Sequence, residues 1–165
     1  MNLILRSWRE TDLDSLIKNI NDPAIAKFMT DQFPFPCDAE KGRTFIANAN
    51  KHIPQRIFAI EVSGEACGAI GIHPKEDIDR KNAEIGYWLG KAYWGKGIIT
   101  AAIKQITDHG FKSFDITRIY ARPFHTNIAS QKALEKAGFK LEARFEKTIF
   151  KNGEFLDELV YAMRK

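Results

Sequence analysis

An α/β domain with a mixed sheet flanked by helices is the fold class this sequence predicts. Runs rich in β-branched and aromatic residues alternate with stretches of 3.6-residue apolar period. Turn signals at Ser63-Gly64-Glu65 and Asn152-Gly153 fold neighbouring strands into hairpins. One strand passes through a glycine-bearing turn straight into an amphipathic helix, over Tyr87 to Gly110. With 165 residues, 44% of them hydrophobic and twelve Phe, a core can form without disulfide or metal, so one domain spanning residues 1–165 is expected.

The elements follow in order. Leu3 to Arg6 reads as a first strand. Thr11 stands where it can cap a helix, with Asp14 three residues on, and Leu13, Leu16, Ile17 and Ile20 keep the helical period. A second helical stretch runs from about Asp22 to Met29. Phe33-Pro34-Phe35-Pro36 then interrupts, because neither proline can continue a helix. Asp38 opens another helix to about His52. Arg56–Val62 and Ala66–His73 form a hairpin, and Asn82–Leu89 is the next strand. Gly97 to about Gly110 is helical, with Ile99, Ala102, Ile103 and Ile106 on one stripe. Arg118–Arg122 is a strand broken by Pro123. Asn127 caps a helix that ends at Gly138, where Leu134 and Phe139 occupy the positions that touch in a glycine-terminated helix. Phe139–Phe150 and Phe155–Met163 make the last hairpin around Asn152-Gly153.

Several function classes recede on composition. No apolar run is long enough for a transmembrane helix, and residues 1–6 lack a signal-peptide pattern. Cys37 and Cys67 stand thirty residues apart with no metal-ligand spacing, so no metal is expected and a reducing cytoplasm is the default location. The net charge of +4 is spread along the chain without a basic stripe interleaved with aromatics. It suits an anionic ligand better than a nucleic acid. His52, His73, His109 and His125 fall in no triad or metal pattern.

The informative stretch is Trp94-Gly95-Lys96-Gly97-Ile98-Ile99-Thr100. A helix start presents unpaired N–H groups and a partial positive charge, which together attract phosphate. Gly95 and Gly97 let backbone approach a diphosphate, and Lys96 adds charge. The dinucleotide fingerprint and the P-loop are both missing, since Lys96 is followed by glycine.

Ala83-Glu84-Ile85-Gly86-Tyr87-Trp88-Leu89 followed by Tyr93-Trp94-Gly95-Lys96-Gly97-Ile98-Ile99-Thr100 resembles the centre of the GNAT N-acetyltransferases. The tryptophan-glycine-lysine-glycine form resembles the RimJ/RimL branch, the ribosomal-protein N-terminal acetyltransferases. Asn127-Ile128-Ala129-Ser130, Glu135 to Phe139, and Asn152-Gly153-Glu154 with Asp157 and Tyr161 carry the resemblance to the end of the chain. It implies a splayed central sheet with acetyl-CoA in the split and pantetheine along the backbone of Tyr87, Trp88 and Leu89. The pyrophosphate would meet residues 95–100, with Asn127 and Ser130 near the thioester. Two departures stand out. Ile99 replaces an expected Gly or Ala, and Leu134 replaces a tyrosine that would protonate the departing thiolate, leaving Ser130 or water for that task.

The implied activity is transfer of acetyl from acetyl-CoA to a primary amine, on a protein N-terminus or a small molecule, directly within a ternary complex. The alternative is a non-catalytic acyl-CoA sensor. A carboxylate is a suitable general base, and Glu84 is the candidate; its structural alternative is an ion pair with Arg118 or Arg80. Ser130 is either thiolate donor or helix hydrogen-bonder. Trp8, Phe28, Phe33, Phe35, Phe145 and Tyr161, together with Glu84, are the candidate acceptor-pocket residues, with the core as the alternative for the aromatics. A monomer or homodimer is expected.

Overall fold

The computed structural model describes residues 2–165. Seven strands form one sheet in the order β1-β2-β3-β4-β5-β7-β6. They are β1 (Leu3–Arg6), β2 (Ile57–Val62), β3 (Glu65–Pro74), β4 (Asn82–Leu89), β5 (Arg118–Ala121), β6 (Lys140–Lys151) and β7 (Glu154–Arg164). All neighbours are antiparallel except β4 and β5, which run parallel. The helices are α1 (Leu13–Ile20), α2 (Pro23–Ala26), α3 (Ala39–Ala49), α4 (Ile98–Ser113) and α5 (Ile128–Lys136).

Period-2 alternation divides the sheet into two covered faces. On one, Ile70 and Ile72 of β3, Ala83 and Ile85 of β4, and Ile119 of β5 meet Ala102, Ile103 and Ile106 of α4. On the other, Ala69 and Trp88 pack with Leu16, Ile20 and Ile46 from α1 and α3. Short polar side chains start the helices as their chemistry dictates. Asp22 accepts the Ala24 N–H at 2.8 Å, Asp38 that of Lys41 at 2.8 Å, and Asn127 that of Ser130 at 3.2 Å. The expected end of α5 forms as well. Phe139 N–H bonds the Leu134 carbonyl at 3.0 Å and Gly138 N–H that of Glu135 at 3.0 Å, with Gly138 at φ 98°.

The first helix departs from expectation. Thr11 lies inside a 3-10 turn, Glu10–Asp12, and caps nothing; the Asp12 carboxylate takes the Arg9 N–H at 2.8 Å. Asp12 is buried and also accepts both terminal nitrogens of Arg6, each at 2.8 Å. Burial opposes its charge, but the Arg6 guanidinium and the Arg9 N–H prevail and hold its carboxyl below the usual range. α2 and α3 are shorter than their apolar patterns, whereas α4 runs on to Ser113.

The feature that positions a site is the limited pairing of β4 with β5. Only Asn82↔Arg118, Ala83↔Ile119 and Glu84↔Tyr120 are in register. From Ile85 to Leu89, β4 continues while β5 ends at Ala121 and Pro123 follows. The sheet is therefore split, open on the side towards which both strands point.

Candidate active site

A cleft of about 410 Å³ lies at that split. Tyr87, Trp88 and Leu89 line it from β4; Trp94, Gly95, Gly97, Ile98, Ile99 and Thr100 from the turn and the start of α4; and Asn127 and Ser130 from α5. Ala24, Ile25, Phe28 and Met29 close it from the α2 side. Twelve residues singled out from sequence alone thus converge on one space.

The turn into α4 leaves backbone N–H groups unpaired. The Trp94 indole N–H donates to the Leu89 carbonyl at 2.8 Å, which pins the turn to the end of β4. Gly95 and Gly97 have φ of 72° and 75°, and a Cβ on either would meet nothing within 4 Å. Open, left-handed backbone of this kind favours glycine. Among the described residues no side chain caps α4, and its first ladder bond is Ala101 N–H to the Gly97 carbonyl at 3.1 Å. The N–H groups of Ile98, Ile99 and Thr100 therefore precede the ladder and are available to a ligand. Ile98 is buried and Ile99 packs against the larger core while still touching the cleft, so the bulk of Ile99 is accommodated inward. Lys96 does not line the cleft; its ammonium lies 5.7 Å from the ring centre of Tyr93, which does.

Across the split, the Tyr87 hydroxyl and Ser130 Oγ are 2.6 Å apart, a hydrogen bond joining β4 to α5. Burial pushes the Tyr87 phenol up to about 12. Leu134, one turn beyond Ser130, is 0% exposed within the larger core.

Glu84 sits at the apex of the split, as the last β4 residue paired with β5, but outside the cleft lining. Its partners are neither Arg118 nor Arg80: Lys75 Nζ lies 3.4 Å from Oε1, and Arg122 Nε donates to Oε2 at 3.0 Å. Arg118 turns to Asn82 and Glu142, and Arg80 to the Asp77 carbonyl. Burial works against the charges of Lys75 and Arg122, yet Glu84 raises both.

The aromatic candidates separate. Phe28 lines the cleft, and Phe33 packs edge-on against Trp88 with ring centres 6.2 Å apart. Phe35 is half-buried and not in the lining. Trp8 is 2% exposed beside a second hollow formed with Leu13, Arg43 and Asn50. Phe145 is exposed on the edge strand β6. Tyr161 is buried in the larger core, its hydroxyl donating to Glu135 at 2.9 Å. Trp8, Phe145 and Tyr161 thus serve core or surface and do not meet the cleft. His125 Nδ1 accepts the Asp157 N–H at 2.9 Å and His109 Nε2 lies 2.8 Å from the Gln55 carbonyl, both scaffold contacts.

Sequence reasoning missed Ala129, Lys132, Ala133 and Lys136, which line the cleft from α5. Their spacing of i, i+3, i+4 and i+7 is a helical face and was readable once Ser130 had been oriented. Among the described residues no helix is long and apolar enough to cross a membrane, and no cluster of His, Cys, Asp or Glu has metal-binding geometry.

The chain is similar to known proteins in sequence and in fold. The chain is 34% identical over 102 residues to YdaF of Bacillus subtilis (strain 168), an alignment covering 62% of this chain and 55% of that protein. It is 31% identical over 107 residues to the ribosomal-protein-serine acetyltransferase of Escherichia coli (strain K12), covering 65% and 59%. The chain thus aligns with little more than half the length of either relative. The crystal structure of the self immunity acetyltransferase MccE, in complex with acetyl-CoA and AMP, superposes with a TM-score of 0.81 at 26% identity, over 99% of this chain and 92% of that one. The family described as the acetyltransferase (GNAT) domain matches residues 2–140, and the chain belongs to the GNAT family.

Proposed function

We propose that this protein transfers the acetyl group of acetyl-CoA to a primary amine, a protein N-terminal α-amine or a small-molecule amine, by direct transfer in a ternary complex. The observation that carries this is the uncapped start of α4 in the same cleft as Asn127 and Ser130. The donor would supply an activated thioester; the chain's own residues do the rest. The N–H groups of residues 95–100 suit a diphosphate, and Lys132 and Lys136 add positive charge to the cleft lining. β4 lacks a β5 partner from Ile85 onward, and such an unpaired edge suits the amides of a pantetheine arm. Ser130 can hydrogen-bond the leaving sulfur. Glu84 at the apex is the proposed base, acting directly or through a water once it gives up a cationic partner.

An α-amine, with a pKa of about 8, reaches the neutral form more readily at pH 7 than a lysine at about 10.4. The relatives' names point both ways, to a ribosomal protein and to self immunity, so the acceptor is tested with a panel of N-terminal peptides, polyamines, amino acids and amine antibiotics. Thiol release in the presence of one acceptor class identifies it. Tight CoA binding with no turnover on any acceptor would instead favour an acyl-CoA sensor, a reading that the buried Leu134 supports.

A further inference from the structure

The α5 position where a tyrosine would donate the proton is Leu134, apolar and sealed in the core, so Ser130 is the α5 hydroxyl that lines the cleft. A second hydroxyl does face the cleft, from the opposite strand. Tyr87 and Ser130 both line it, and their oxygens are 2.6 Å apart across the split. A serine hydroxyl has one proton and two lone pairs, so its direction is set by its neighbours. If Tyr87 donates to Ser130 Oγ, the serine proton is released from that contact and can point into the cleft. If Ser130 donates to Tyr87, the proton is spent within the protein.

We propose that Tyr87 is a positioning residue: its phenol donates to Ser130 and thereby commits the serine O–H to the sulfur of bound CoA. This rests on the cofactor reading above. The phenol's resistance to ionisation agrees with a group that stays a donor over the working pH range. In the transfer step the amine lone pair forms the C–N bond, the C–S bond breaks, and its electron pair stays on sulfur. The thiolate accepts the Ser130 hydrogen bond and takes up the proton that the product nitrogen releases, by way of solvent. No oxidant or further reactant is needed.

The consequence is measurable without an acceptor. Bound CoA in the wild-type chain should have a thiol pKa below that of free CoA, read from the ultraviolet absorbance of the thiolate. Tyr87→Phe keeps the ring and loses only the hydroxyl. It should raise the bound thiol's pKa by about one unit, a tenfold shift in the thiolate equilibrium. Ser130→Ala should raise it by at least as much. Tyr87→Phe on the Ser130→Ala background should add nothing, because the phenol acts through the serine. Losing the Tyr87–Ser130 hydrogen bond should also lower the thermal midpoint of Tyr87→Phe by about 2–4 °C. A bound thiol that titrates alike in wild type and Tyr87→Phe overturns the proposal, as does an undiminished Tyr87→Phe effect in the double variant. Failure of the wild-type chain to bind CoA removes the cofactor reading, and this inference with it.

Discussion

Gly97→Ala tests the anion seat directly, and Gly64→Ala supplies its control. Both glycines have left-handed backbone, with φ of 75° and 83°, and an added Cβ at either meets nothing within 4 Å. The folding cost is therefore conformational and should be alike, about 1–2 kcal/mol for an L-residue in that region. For a chain of this size each kcal/mol lowers the thermal midpoint by about 2–4 °C, so both variants should melt about 2–8 °C early. Their ligand behaviour should differ. Gly64 lies in the β2–β3 turn and takes no part in the cleft, whereas Gly97 lines it next to the free N–H groups of α4. A methyl group there occupies the space through which a diphosphate approaches the backbone. Isothermal calorimetry with CoA should show at least about a tenfold weaker Kd for Gly97→Ala, about 1.4 kcal/mol, and no change for Gly64→Ala. Equal CoA affinity in the two variants would refute the seat.

Further outcomes follow from the same geometry. Asn127→Ala removes the cap of α5 and should cost about 1 kcal/mol by urea denaturation, while also lowering turnover because Ser130 loses its anchored backbone. Asp12, whose carboxyl is held below its ordinary range when folded, contributes stability that is complete above the unfolded pKa and fades as pH falls through the folded one. Asp12→Asn should therefore lower the urea midpoint at pH 7 and show a shallower acid decline than wild type; parallel acid limbs would contradict the Arg6–Asp12 account. Glu84→Gln should reduce turnover by about a hundredfold or more, whereas unchanged turnover excludes it as base. Burial raises both thiols, Cys67 to about 11, so neither should react with a thiol reagent at pH 7 until the chain is unfolded.

What could be read from sequence divides by the range of the interaction. Asp38 was legible as a helix start and Asn127 as a cap because each acts on a backbone N–H three residues away. Asn152-Gly153 was legible because the φ values of 52° and 79° that its turn needs are those these residue types tolerate. The strand-turn-helix from Tyr87 to Gly110 was legible as a unit, since its parts adjoin in the chain. Thr11 misled because the competitor was Asp12, whose pairing with Arg6 belongs to the tertiary structure. The partners of Glu84 depended on the register of β3 against β4 and on the reach of Arg122 from beyond β5, neither of which a local pattern encodes. The acceptor aromatics were the least legible. Trp8 and Tyr161 have the composition of a pocket wall, but they are buried in the core.

Acetyl transfer itself is tested most directly by following CoA thiol release from acetyl-CoA while the amine is analysed by mass spectrometry. Thiol release should require an amine and match acetylated product one for one, with Gly97→Ala and Glu84→Gln both impaired. Thiol release independent of any amine, or CoA binding without turnover across peptide, polyamine and antibiotic acceptors, would contradict it.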